Sequence, residues 1–118
     1  MSANVKKILQ PAAKQPPVSR IVEDIVGCKW SLTVLQRVRQ GVHRPGAIER
    51  SVDGLTAKVL NQRLRKLVNY GIFRRSEFPE IPPHVEYTLT PFGTRFVSIL
   101  DAIEDLEKEA CDLSNTPR

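Results

Sequence analysis

The sequence predicts a mainly α-helical domain with one small β-hairpin, and three stretches carry that prediction. Thr56–Tyr70 (TAKVLNQRLRKLVNY) repeats apolar residues at helical spacing, placing Leu60, Leu64, Leu67 and Val68 on one side. Residues 72–89 then switch to alternation on either side of Pro79, Pro82 and Pro83, first as IFRRSEF and then as HVEYTL. Finally, Phe92, Phe96, Ile99, Leu100, Ile103 and Leu106 recur at three- and four-residue steps in a last, long helix.

The remaining elements fit around these. Residues 1–17 mix lysines with Pro11, Pro16 and Pro17 and read as a flexible N-terminal arm. Val18–Val26 is a short amphipathic helix with Ile21, Val22, Ile25 and Val26 on one side, broken by Gly27. A second helix runs from about Lys29 to Gln40. Leu32, Val34, Leu35 and Val38 make it central, Trp30 is its expected core anchor, and Gly41 stops it. Pro45–Val52 is a third helix with proline in its first turn. Asp53-Gly54 turns the chain and Thr56 caps the next helix through its hydroxyl. Two helices joined by this short turn form a helix-turn-helix, with Thr56–Tyr70 as the groove-entering member. The hairpin over residues 72–89 supplies a wing, and Thr90-Pro91 opens the last helix with a capping hydroxyl and a proline. The winged helix-turn-helix thus spans residues 18–110, leaving 111–118 as a tail.

Charge is distributed unevenly. The chain has 118 residues, enough for one modest core, and a net charge of +5. Residues 1–40 contribute +5 and 41–90 contribute +3, whereas 91–118 contribute −3. A basic body fits a polyanionic partner, and the acidic last helix has another task. Its apolar stripe is long for so small a core, which points to self-association. No apolar run approaches the roughly 20 residues that span a bilayer. Lys6 and Lys7 are not followed by an apolar run of signal-peptide type. Two cysteines are too few for a disulfide framework, so a reducing cytoplasm is the expected location. Cys28, Cys111, His43 and His84 lack metal-ligand spacing, so no metal is expected. No paired acid and base or phosphate-cradling glycine loop is present, so neither an enzyme nor a cofactor is expected.

The recognition chemistry is concentrated on the polar face of Thr56–Tyr70. Lys58, Gln62 and Arg65 point farthest from the apolar stripe, and Asn61 lies at its edge. Arginine and lysine suit guanine edges or phosphates, and amides suit adenine. Thr56 sits at the helix N-terminus, where free N–H groups favour phosphate. Lys66 and Asn69 are read as solvated, and Arg63 as the partner of a carboxylate. In the wing, Arg74, Arg75 and His84 are candidates for phosphate or minor-groove contact. Neighbouring strand residues face opposite ways, so only one of the two arginines can do this. These residues describe a protein that binds double-stranded DNA. The alternative is a winged-helix module that binds protein, which Glu77, Glu80 and Glu86 in the wing keep open. Cys28, beside Lys29 at a helix start, is a candidate redox or electrophile sensor, the alternative being a small side chain packed beside Trp30.

Gly27-Cys28-Lys29-Trp30-Ser31-Leu32, the run Gly54–Leu64 (GLTAKVLNQRL) and Pro82–Gly93 (PPHVEYTLTPFG) form a set of three segments. Together they resemble the HxlR-type winged helix-turn-helix transcriptional regulators of bacteria. The likeness covers roughly residues 17–107. It implies a homodimer formed by the first and last helices, with recognition helices in successive major grooves. Ile21, Ile25, Phe96, Ile99, Leu100 and Ile103 are then the expected interface residues. It also implies gene regulation in response to an oxidant or small-molecule inducer. The chain departs from the family pattern at Pro16-Pro17, where Cys-Pro is common, and at Cys28, where a second glycine is usual. It departs again at Leu106, where an aromatic residue is common.

Overall fold

Among the described residues, the apolar periods of the sequence fold into five helices and a wing. The computed structural model describes residues 7–9 and 15–115; residues 1–6, 10–14 and 116–118, parts of the expected arm and tail, lie outside the described residues. The elements run β1 (Lys7–Leu9), α1 (Val18–Val26), α2 (Lys29–Arg39), α3 (Pro45–Ser51), α4 (Ala57–Asn69), β2 (Phe73–Phe78), β3 (His84–Leu89) and α5 (Pro91–Asn115). The sheet order is β1-β2-β3, antiparallel throughout. Strand β1 is an addition to the sequence reading. It pairs Lys7 with Glu77 and Leu9 with Arg75, within the stretch read as an arm. Helix α5 likewise continues four residues past Cys111, into the stretch read as a tail.

Helix ends are set by local chemistry. The Thr56 hydroxyl accepts from the Val59 N–H at 3.2 Å, capping α4. At its other end Gly71 takes φ +79°. Its N–H bonds to the Val68 carbonyl at 2.9 Å, and the Ile72 N–H reaches Leu67 at 3.0 Å. That paired closure needs a residue tolerant of positive φ, and it buries Ile72 completely. The chain therefore turns from recognition helix into wing without a linker.

The core is formed where α4 packs on α2. Leu60, Leu64, Leu67 and Val68 are at most 4 % exposed and meet Val34, Leu35 and Val38 of α2, Ile48 of α3 and Phe73 of β2 in one cluster. Ile21, Ile25, Phe96 and Leu100, expected at a dimer interface, belong to this same cluster and are 0–5 % exposed within the single chain. Within the single chain they are core residues. The apolar surface that α1 and α5 leave exposed is instead Val18, Val26, Phe92, Ile99, Leu106 and Leu113, with Ile103 half-buried. Trp30 is also displaced from its expected place. It is half-buried at the core rim, with the Lys29 ammonium 5.2 Å from its ring centre and the Gly54 turn beside it.

A tight junction joins α5 to the end of α4. Thr90 Oγ1 donates to the Gly71 carbonyl and accepts from the Gly93 N–H at 2.9 Å, and the Thr90 N–H donates to Ile72 at 3.0 Å. A Cβ on Gly93 would stand 2.2 Å from the Ile72 carbonyl oxygen, so the approach requires glycine. Gly93→Ala is expected to lower stability by about 1–3 kcal/mol through overpacking against backbone. Urea unfolding checks this, and an unchanged midpoint would show that the junction yields freely.

Candidate nucleic-acid interface

Burying one face of α4 sends the other outward. Lys58, Asn61, Gln62 and Arg65 are all exposed, and so is the capping Thr56. Gln62 and Arg65 flank a shallow recess with Asn69 and Tyr70. None of Lys58, Asn61, Gln62 and Arg65 has a hydrogen-bond or ion partner among the described residues, so their donors are available to a ligand. This is the arrangement that the helical periodicity predicts.

The wing differs from expectation. Arg75 is half-buried, pairs with Glu77 Oε1 at 2.5 Å and interacts with the Tyr87 hydroxyl. His84 is held between two carboxylates, with Nδ1 3.0 Å from Glu80 and Nε2 3.0 Å from Glu86. Its ring also stacks on Phe78 at 4.7 Å. Both side chains have carboxylate partners within the wing. Arg74 is exposed and has no ion partner among the described residues, but it sits at the base of the wing, paired in register with Thr88. The turn over residues 79–83 is the exposed tip, and Ile81 there is fully exposed. The Tyr87 N–H donates to the His43 carbonyl at 2.8 Å, fastening the wing to the loop before α3.

One further constellation was not visible in the sequence. Asp24 of α1 accepts from the Tyr70 hydroxyl and from Lys66 Nζ, the ammonium lying 2.9 Å from Oδ2. Lys66, read as solvated, is therefore a clamp between α1 and α4. Burial pushes the Asp24 carboxyl up, but the Tyr70 and Lys66 hydrogen bonds and the Lys66 and Arg63 charges outweigh it and hold the carboxyl below its ordinary range. Burial and Asp24 together push Tyr70 up to about 12. Arg63 forms no ion pair among the described residues, contrary to expectation, and its charge acts on Asp24 and Cys28.

Cys28 occupies the N-cap position of α2 without a side-chain capping hydrogen bond and is half-buried. Burial raises its thiol pKa, but the Ser31 hydroxyl and amide, the Arg63 charge and the Trp30 amide favour thiolate more, so the net direction is down. The Ser31 hydroxyl is buried and has no hydrogen-bond partner among the described residues. Among the described residues no group of acidic, histidine or cysteine side chains could hold a metal, and no helix is long and apolar enough to cross a membrane.

A capped, outward-facing polar helix behind a short first helix and before a hairpin defines a winged helix-turn-helix regulator. The chain belongs to the HxlR-like helix-turn-helix family, whose model matches residues 25–115. It is 38% identical over 103 residues to the HTH-type transcriptional regulator sll1512 of Synechocystis, covering 83% of this chain and 76% of that one. It is 33% identical over 93 residues to the HTH-type transcriptional regulator YtfH of Escherichia coli, covering 79% and 73%. Among solved structures, a MarR-family transcriptional regulator from Enterococcus faecalis superposes with TM-score 0.73 at 31% identity, covering 87% of this chain and 96% of that one. The redox regulator HypR in its reduced form superposes with TM-score 0.68 at 27% identity, covering 82% and 96%. The protein is thus a transcriptional regulator of the winged-helix type.

The Asp24 clamp makes a prediction with a defined sign. Its carboxyl is depressed below the ordinary 3.8, so the clamp contributes fully above the unfolded value and is lost as pH falls through the folded one. Urea unfolding should show wild type more stable than Asp24→Asn at about pH 6, with the gap closing toward about pH 3. A gap independent of pH would mean that the ionised carboxylate adds nothing.

Proposed function

We propose that the protein is a homodimeric, sequence-specific double-stranded DNA-binding regulator that inserts α4 into the major groove. The observation that carries this is the outward row of Lys58, Asn61, Gln62 and Arg65, unpartnered among the described residues, on a helix whose other face is fixed in the core. Thr56 and the first free amides of α4 take a phosphate, while Gln62 and Asn61 read base edges. The wing follows the neighbouring backbone through its tip rather than through Arg75 or His84. Exposed Val18, Phe92 and Ile99, at the junction of α1 with α5, are the core of the dimer contact. Bacterial, cytoplasmic residence accompanies this reading.

Two results test it. Binding to duplex DNA should fall on the order of a thousandfold between about 50 and 200 mM salt, as cations on two subunits release counterions. Lys58→Ala and Gln62→Ala should each cost about 1–3 kcal/mol on the operator, and Gln62→Ala should cost less on random duplex because an amide releases no counterion. Affinity indifferent to salt would favour the protein-binding alternative.

Regulation through Cys28 is part of the proposal. Cys28, at the start of α2 and under the influence of the Arg63 charge on the recognition helix, would report an electrophile to α4. The likeness to a redox regulator supports this. The Cys28 sulfur would add across a quinone C=C bond, its proton passing to the quinone oxygen. Stoichiometric quinone should lower DNA affinity of wild type and of Cys111→Ser but not of Cys28→Ser. Equal responses from all three would make Cys28 a packing residue.

A further inference from the structure

Helix α3, the first member of the helix-turn-helix, carries two arginines that the fold does not use. Arg44, just before α3, and Arg50 within it are exposed, and neither side chain has a hydrogen-bond or ion partner among the described residues. Arg44 lines a recess of about 390 Å³ between the loop before α3 and strand β3, with Gly41, Val42, His43, Ala47 and Glu86. Arg50 falls about 60° around α3 from Ala47, on the recess side. Its guanidinium reaches back over Gly46, Nη1 being 3.2 Å from where a Cβ would stand. The neighbouring carboxylates leave this charge uncancelled. Glu86 is held by His84 Nε2 at 3.0 Å. Glu49 falls on the far side of α3, about 160° from Ala47. Asp53 belongs to the turn at the other end of the helix, away from the folded-back Arg50 guanidinium.

The recess is held in place and stands apart from the other surfaces. The Tyr87 N–H donates to the His43 carbonyl at 2.8 Å, which joins β3 to the loop before α3. No lining residue belongs to α1 or α5, so the recess lies outside the proposed dimer contact. The described parts of the N-terminal stretch are elsewhere, β1 pairing with β2 and Gln15 bonding to Asn69 at the end of α4. In a helix-turn-helix the first helix crosses the sugar–phosphate backbone beside the groove that the second enters. Here the wing brings little free charge to that backbone, because Arg75 and His84 already have carboxylate partners. We infer that the Arg44–Arg50 edge of α3 binds a backbone phosphate of duplex DNA, the two guanidinium forks donating to its oxygens over the recess. This rests on the proposed placement of α4 in the major groove and adds the DNA backbone between α4 and the wing. The contact reads no base and acts on every sequence alike.

The test is fluorescence anisotropy of the full chain with a labelled mixed-sequence duplex of about 30 base pairs, at about 50 to 200 mM salt. Arg44→Gln and Arg50→Gln should each weaken binding about tenfold at the lower salt. Each should also reduce the slope of log affinity against log salt by about one per bound chain. Arg44→Lys and Arg50→Lys keep the charge and should hold the wild-type slope. Lys108→Gln, an equal loss of charge on α5, should change neither quantity. Thermal unfolding checks that each variant folds, and Arg44→Met or Arg50→Met replaces a glutamine variant that does not. The inference is overturned if either charge-removing variant binds like wild type, or loses affinity with its slope unchanged. It is also overturned if Lys108→Gln shows the same losses. Lys58→Ala on the same duplex separates this result from the α4 reading. A loss at Lys58 with none at Arg44 and Arg50 overturns this inference and leaves α4 in the groove. No loss at any of the three, or no binding by wild type, overturns both.

Discussion

The packing of α4 against α2 is the contact on which the rest of the molecule depends. Leu60, Leu64, Leu67 and Val68 are removed from water together, each contributing about 1.5–3 kcal/mol relative to exposure. Because they occupy one stripe, the helix cannot rotate about its axis without exposing several of them at once. That constraint aims Lys58, Gln62 and Arg65 outward. Specificity in a groove needs side chains placed to within a fraction of an ångström, and here the hydrophobic core does the placing.

Polar contacts then fix the frame around this helix. The Asp24 carboxylate ties α4 to α1 through Lys66 and Tyr70. Arg39 of α2 grips Asp101 of α5 with two bonds, at 2.7 and 2.5 Å. Thr90 and Gly93 lock the first turn of α5 onto the closure of α4. Pairs this exposed add little stability individually, and their value lies in direction. They link the two helices that present exposed apolar surface, α1 and α5, to the helix that presents donors.

The sequence disclosed whatever depends on neighbours a few residues apart. Leu60 to Val68 repeat at helical spacing, Val85, Tyr87 and Leu89 alternate, and Thr56 and Thr90 stand where caps belong, so α4, the wing and the start of α5 were legible. What failed depends on distant contacts. Asp24 and Lys66 are 42 residues apart, and neither carries a local sign of the other. Arg75 and His84 look like free cations until strand pairing and the turn bring Glu77, Glu80 and Glu86 to them. On α5, periodicity located the apolar stripe but not its division between the chain's own core, which takes Phe96 and Leu100, and the surface, which keeps Phe92 and Ile99. Strand β1 lies in a lysine- and proline-containing stretch with no alternation long enough to announce it.

The central claim is that the outward face of α4 is the surface that meets DNA. The most direct measurement is a nitrogen–proton correlation spectrum of the labelled protein titrated with duplex DNA, because Asn61 and Gln62 carry side-chain NH₂ groups that report on their own surroundings. The account predicts that these two NH₂ signals and the backbone amides of residues 57–65 move, while those of residues 104–113 in α5 stay in place. Shifts confined to α1 and α5, with residues 57–65 unmoved, would contradict it.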